Sequence, residues 1–308
     1  MYRHHFGLHE LPFSLTPDPE FFYGHPGHQE ALNVLLVALQ GGEGFIKITG
    51  EVGTGKTLLC RKLLNSLDAG FCTAYLPNPL LAPFELYQAL AQEFGLQVPA
   101  AATLHDLLKQ LTDKLAALYR EGRRAVLCID EAQVMPVESL EALRLLSNLE
   151  TEKFKLLQIA VFAQPEFNTL LDSEGLRQLR QRITFNYTLP PLDHDGVAGY
   201  VNHRLRIAGY RGLPLFTGKA LEALSRASHG VPRLVNILCH KALLAGYGAG
   251  LHSIDVPQIK AAVRDTAEIL PRRTVFGPLR DEPLYRWLGV ATAVECVVLA
   301  WLTWSVLS

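Results

Sequence analysis

The sequence predicts an α/β protein: a parallel-sheet core covered by helices, then a small all-helical domain, then a hydrophobic C-terminal helix. Three observations predict it. Between residues 44 and 189, short runs rich in Ile, Val, Leu and Phe alternate with helical patterns, as strands buried on both faces do. The stretch TGEVGTGKT at 49–57 lies directly between one such run and a helical one. After PPLD at 190–193, four helical patterns succeed one another with short breaks.

Residues 1–28 contain FGLHELPFSLTPDPEFFYGHPGH, rich in proline, aromatics and histidine, and read as an irregular, extended lead-in. The five histidines there (His4, His5, His9, His25 and His28) have no convincing metal-ligand arrangement. The core is expected over 29–190. A helix runs from Gln29 to Leu39, then strand-like GFIKITG, helical KTLLCRKLLNSL, strand-like FCTAYL and helical PFELYQALAQEFG. Then come helical TLHDLLKQLTDKLAALYREG, strand-like RAVLCID, helical ESLEALRLLSNLE, and the strand-like runs KLLQIAVFAQ and ITFNYTL. The helical domain spans 191–270, and a linker rich in proline and arginine covers 271–286.

The final stretch, WLGVATAVECVVLAWLTWSVL at 287–307, carries one charge, Glu295, and has the length of a bilayer-spanning helix. Trp287, Trp301 and Trp304 lie towards its ends, as interfacial anchors do. Arg272, Arg273, Arg280 and Arg286 precede it, so the positive-inside rule puts the body of the protein in the cytoplasm. The competing reading is a helix packed on the protein or on a partner. A carboxylate at mid-bilayer costs about 2.5–3.5 kcal/mol, which weighs on that side. With 29 Lys and Arg against 30 Asp and Glu, no general basic excess attracts nucleic acid. The five cysteines form no C-x-x-C pair and suit a reducing compartment.

The chemistry centres on GEVGTGKT, which fits G-x-x-x-x-G-K-[ST]. Gly50, Glu51, Val52, Gly53, Thr54 and Gly55 can turn backbone N–H groups towards one anion, and the helix that follows, with Leu58 in its first turn as a further candidate binding residue, adds its positive end. Lys56 can bridge the outer phosphates of a nucleotide, and Thr57 can ligate magnesium. RAVLCIDEAQ then supplies acids at the end of a buried strand: Asp130 to hold the magnesium, Glu131 to polarise the attacking water. Gln164 closes a neighbouring strand, where it can reach the γ-phosphate or the water; a polar residue merely ending a strand is the alternative. Arg177, Arg180 and Arg182 precede the last strand and can project into an adjacent subunit as an arginine finger, with Arg182 preferred, or form a solvated basic helix face. Arg233 in GVPR can reach back from the helical domain to the nucleotide.

TGEVGTGKT, LCIDEAQ, FAQPEF, LRQRI and HGVPRLVN, in that order, resemble AAA+ ATPases of the ExeA/GspA type, and FGLHELPFSLTPDPEFFY resembles the opening of that group. The similarity covers about residues 1–270, and within the group the lengths and tail are most like the branch serving MSHA-type pili. The resemblance implies a P-loop NTPase fold with a lid, ATP and Mg2+ as cofactors, Lys56 and Thr57 as Walker A residues, and Asp130 and Glu131 as Walker B. It also implies Gln164 as sensor 1, Arg233 as sensor 2 and a finger within 177–182. Its larger secretion-type members continue into a periplasmic peptidoglycan-binding domain; with the sequence stopping at Ser308, binding to the cell wall by that route is not expected.

The expected function is ATP hydrolysis by a self-associating protein that supports assembly of a type IV pilus or a related secretion machine at the bacterial inner membrane. Its expected partners are pilus or secretion assembly proteins, with the membrane reached through 287–307. Two other readings stay open: a DNA-associated AAA+ regulator of the transposition type, and a nucleotide-dependent structural adaptor with negligible turnover.

Overall fold

In the computed structural model, which describes residues 2–99, 101–150 and 154–266, the chain opens with a short helix, α1 (Tyr2–Phe6). After an irregular stretch come α2 (Pro26–Gly41), β1 (Phe45–Thr49), α3 (Lys56–Ser66), β2 (Phe71–Leu76), α4 (Pro83–Glu93), α5 (Leu104–Arg120) and β3 (Arg124–Ile129). Next along the chain are α6 (Val137–Leu146), β4 (Leu157–Ala163), α7 (Glu166–Leu171), α8 (Arg177–Arg182) and β5 (Phe185–Thr188). Four helices complete the described chain: α9 (His194–Ile207), α10 (Gly218–Ser228), α11 (Pro232–Gly248) and α12 (Val256–Asp265).

The five strands form one all-parallel sheet in the order β2-β3-β4-β1-β5. Period-two alternation explains its two covered faces. Phe45, Leu127, Ile129, Ile159 and Val161 pack with α4 to α8, whereas Ile46, Ile48, Val126, Cys128, Ala160 and Phe162 pack with α2 and α3. Helix α5 shows how the pattern sets the packing. Leu107, Leu111, Leu115 and Leu118, at helical spacing, are all buried, and Thr103 and Asp106 exchange capping bonds at its start.

Two local expectations need correction. Helix α2 begins at Pro26, three residues before Gln29, because proline is pre-set for the first helical position; it runs to Gly41 and is capped by Gly42, whose φ of 84° only glycine adopts freely. The lead-in is not wholly extended: α1 is helical, and a single turn forms over Pro19–Phe21 where the Asp18 side chain accepts from the Glu20 N–H.

The lead-in is also firmly attached. Its first part holds to α9–α12: the Tyr2 hydroxyl meets His240 Nδ1 at 2.9 Å, the His9 N–H donates to the Ala208 carbonyl, and Phe13 stands edge-on to Phe216. Arg204 on α9 is the centre of this attachment. Only 4% exposed, it donates to the carbonyls of Pro12 (2.5 Å) and Ser14 (3.4 Å) and to the Tyr200 hydroxyl (2.9 Å), and lies 4.5 Å from the Phe21 ring. Further on, the same segment holds to α3, where Arg61 donates to the Pro17 carbonyl at 2.6 Å. Residues 12–22 therefore bridge the helices after the sheet and the helix after the glycine-rich loop.

Among the described residues no helix is long and apolar enough to cross a membrane. The expected spanning segment, 287–307, and the linker before it lie outside the described residues.

Candidate nucleotide site

In a parallel sheet the loops that leave the strand ends all emerge at one edge. Here the glycine-rich loop leaves β1, Asp130 and Glu131 stand at the end of β3, and Gln164 at the end of β4, the strand lying between those two. The connection from β1 runs across the sheet to β2, whereas that from the adjacent β4 runs the other way to β5, so the two diverge beside the loop. Such a switch point is where open α/β sheets leave a crevice for ligands.

The loop takes its shape from two glycines at positive φ, Gly53 at 83° and Gly55 at 101°. A side chain at Gly53 would come within 2.5 Å of Arg233 Cβ, so glycine is needed there for space as well as conformation. The Arg233 N–H donates to the Gly53 carbonyl at 3.1 Å, which sets the start of α11 directly on the loop. Beneath the loop, His28 of α2 contacts the Thr54 carbonyl through Nε2 at 2.8 Å. The carbonyl can only accept, so this nitrogen carries the proton, and among the described residues the buried Nδ1 has no hydrogen-bond partner.

Lys56, 4% exposed, folds back on the loop it belongs to. Its Nζ donates to the carbonyls of Gly50 (2.8 Å) and Glu51 (3.1 Å). Burial pushes its pKa down, with the charges of Glu131, Asp130 and Glu51 acting the other way. Asp130, 2% exposed, shows the converse: burial pushes its pKa up, opposed by hydrogen bonds from the Thr57 hydroxyl and the Glu131 N–H, the latter at 3.0 Å. The buried lysine and the buried carboxylate are thus each disfavoured in the charged form, a combination common at functional sites.

Glu131 adopts a left-handed backbone (φ 52°, ψ 39°), uncommon for a side chain of its kind. This turns the chain into a short helical turn, Ala132–Val134, and its carboxylate is met by two amides. Gln164 Nε2 donates to Glu131 Oε2 at 3.0 Å and Gln133 Nε2 donates to the same oxygen at 2.5 Å. Gln133 Oε1 in turn accepts from the Gln164 backbone N–H at 3.0 Å. Gln133, two residues beyond Glu131 in LCIDEAQ, is a site residue that the motif alone does not single out.

Beside the loop lies a cavity of about 370 Å³, within the range of small-molecule sites. Its floor is Val52 to Leu58 with Glu131, and its walls come from α9 and α11 (Tyr200, Arg204, Arg233, Asn236) and from the lead-in (Ser14 to Asp18, Phe22, Tyr23) with His28. The part played by the lead-in was not legible in the sequence, because no local pattern says what an irregular segment packs against. The candidate finger arginines lie elsewhere. None lines the cavity of its own chain; Arg180 pairs with Asp172 at 2.5 Å on the surface, and Arg182 points at the Ser147 hydroxyl and carbonyl at 3.4–3.5 Å.

Histidine burial has a consequence for pH. Burial lowers the pKa of His28, His203 and His240 below the ordinary value of 6.5. The unfolded chain then binds these protons more readily than the folded one, so the stability they confer is complete above pH 6.5 and is lost as pH falls from there towards the folded values. Thermal unfolding at pH 7.5 and 5.5 checks this. The melting temperature should drop at pH 5.5, and His28→Gln should lessen the drop.

Residues 39–171 match the family model of the AAA domain. General secretion pathway protein A of Aeromonas hydrophila is 45% identical over 269 residues, which is 87% of this chain and 49% of that protein. The chain thus spans about half the length of that relative. Among solved structures, the Aeropyrum pernix ORC2 protein in its ADPNP–ADP complexes is similar at a TM-score of 0.63 with 19% identity, over 82% of this chain and 70% of that one. Cdc6p from Pyrobaculum aerophilum is similar at a TM-score of 0.63 with 15% identity, again over 82% and 70%. Identities this low speak for the fold alone. The fold that carries the loop, the two acids and Gln164 on one sheet edge is accordingly a P-loop AAA fold, with the AAA domain at residues 39–171.

Proposed function

We propose that this chain binds and hydrolyses ATP as a self-associating AAA+ protein and serves a secretion or type IV pilus assembly machine at the bacterial inner membrane. The observation that carries the chemistry is the convergence of Lys56, Thr57, Asp130, Glu131 and Gln164 on one sheet edge beside an open cavity. The loop amides and Lys56 would hold the phosphates, with Lys56 exchanging loop carbonyls for phosphate oxygens. Glu131 would take the proton of the attacking water, and Gln164 would report the terminal phosphate to Glu131 through the contact they share. Arg233 and the helices α9–α12, seated on the loop, would act as the lid.

Magnesium fits this site. The Thr57 hydroxyl and the Asp130 carboxylate are hard oxygen donors in mutual contact, and the carboxylate is buried deeply enough to gain from a cation. Beside these two groups, the ion would take its further ligands from the nucleotide's phosphates and from water, as magnesium does. When bound it would supply Lewis-acid stabilisation of phosphate charge.

The secretion assignment draws on the similarity to General secretion pathway protein A, and the pilus branch on the resemblance carried by the sequence motifs. Tethering through 287–307 belongs to the same proposal. Recovery of the full chain wholly in the soluble fraction after cell lysis would remove the tether. A DNA-associated role is not favoured by that similarity, and a shift of double-stranded DNA at moderate salt would revive it.

Self-association gives the arginines a role. None of the three lines the cavity of its own chain, which fits action on a neighbour's nucleotide. Lys56→Ala and Arg182→Ala chains, each nearly inactive alone, should recover part of the turnover when mixed, since mixed interfaces pair an intact loop with an intact finger. The same mixing with Arg180→Ala and Arg177→Ala identifies the residue, and no recovery with any of the three at any ratio would remove the finger from this region.

A further inference from the structure

We infer that Gln133 is a positioning residue for hydrolysis, holding the Glu131 carboxylate in its working orientation when the Gln164 amide turns away to a bound nucleotide. The inference rests on the hydrolytic reading and deepens it.

The two ends of the Gln133 side chain are chemically fixed. Its one oxygen accepts from the Gln164 backbone N–H at 3.0 Å, so the other end must be the NH2 group, which meets Glu131 Oε2 at 2.5 Å. The Gln164 side-chain amide reaches the same oxygen at 3.0 Å. Both donors converge on Oε2, which leaves Oε1 to accept a proton from water. The two donors differ in one respect. Gln164 sits at the end of β4 beside the loop, where a terminal phosphate would compete for its amide. Gln133 sits on the turn Ala132–Val134, anchored by the fully buried Ala132, and the Val134 N–H closes that turn on the Glu131 carbonyl at 3.1 Å. Its grip does not depend on what occupies the cavity.

Glu131 needs such a grip because its backbone is left-handed at φ 52°, where the strand pleat no longer directs the side chain. A carboxylate able to swing would still be present but would often be misaligned. Loss of alignment lowers the rate of the chemical step and leaves nucleotide affinity, set by the loop and Lys56, in place.

The test uses the full chain with MgATP. Gln133→Met keeps the length of the side chain and removes the amide, and Gln133→Asn keeps the amide and shortens its reach. For both, kcat should fall about tenfold or more while KM and the Kd for a fluorescent ATP analogue stay within about twofold. In single-turnover experiments, Gln133→Met added to Glu131→Gln should cost less than about twofold more, because a positioning residue has nothing to position once the carboxylate is gone. An unchanged kcat overturns the inference. So does a tenfold loss that persists in the Glu131→Gln background, or a loss of analogue binding in both variants, since either makes Gln133 a staple between β3 and β4 and nothing more. The parent reading fails separately. If Glu131→Gln turns over at the wild-type rate, the hydrolytic role of the acid falls, and this inference with it, whatever Gln133 does.

Discussion

Lys56→Ala is expected to abolish nucleotide binding at ordinary concentrations while leaving the folded chain intact. In the nucleotide-free chain the ammonium is buried, and its hydrogen bonds go to two loop carbonyls, a weak return for desolvating a cation. Removing it should therefore change the melting temperature of the nucleotide-free protein little. A phosphate would be a far better partner, and a charge-assisted contact of this kind is worth about 1.5–3 kcal/mol, or about 10–150-fold in affinity. Titration with a fluorescent ATP analogue and thermal unfolding with and without MgATP measure both halves. The expected result is a nearly unchanged melting temperature without nucleotide and the loss of the upward shift that ligand binding gives. Retained affinity would mean that the loop holds something other than phosphate. A collapse of the nucleotide-free protein would mean that Lys56 is structural.

Glu131→Gln should do the opposite: keep binding and stop turnover. The substitution preserves shape, and its side-chain oxygen can still accept from Gln133 and Gln164, so the contacts after β3 and β4 survive. The ability to take a proton from water disappears. General-base catalysis contributes about 10²–10⁴-fold, so kcat should fall by that much, about 3–5 kcal/mol in the barrier. The Kd should stay within about threefold, or tighten if bound ATP accumulates unhydrolysed. Wild-type turnover in this variant would sink the assignment of Glu131. Asp130→Asn serves as the contrast, because it removes the carboxylate that Thr57 contacts and should weaken magnesium dependence as well as rate.

These two variants probe residues that could be named from the sequence, and the reason is local. GEVGTGKT and CIDE are contiguous, and each depends on only one strand and one turn to be chemically meaningful. The strands were readable for the same reason: FCTAYL forms β2 residue for residue, and the runs containing FIKIT, RAVLCI and LQIAVFA form β1, β3 and β4. Helices α7 and α8, at six residues each, are too short for a 3.6-residue period to show.

Apart from Gln164 and Arg233, the contacts that depend on long-range apposition were not written in the sequence. His28 supports the phosphate loop from 26 positions earlier in the chain, and Arg204 binds carbonyls about 190 positions away. Neither contact leaves a local trace, because a backbone carbonyl accepts a hydrogen bond from any side chain that tertiary packing brings to it. The left-handed turn at Glu131, and hence the shared grip of Gln133 and Gln164 on one oxygen, is likewise a matter of backbone conformation that the letters DEAQ do not announce.

By itself, then, the sequence determined the parallel α/β core and the order of its strands along the chain, and it singled out the loop lysine and the two acids as candidates, since hydrophobic period and contiguous motifs are written residue by residue. The tertiary structure alone decided the sheet order that puts β4 and Gln164 between the loop and the acids, and the docking of Arg233 on Gly53. It also folded a lead-in with no regular pattern into one wall of the cavity. The physical reason is that a period or motif fixes what a segment can bury or bind, whereas its partner is chosen by the packing of the whole chain.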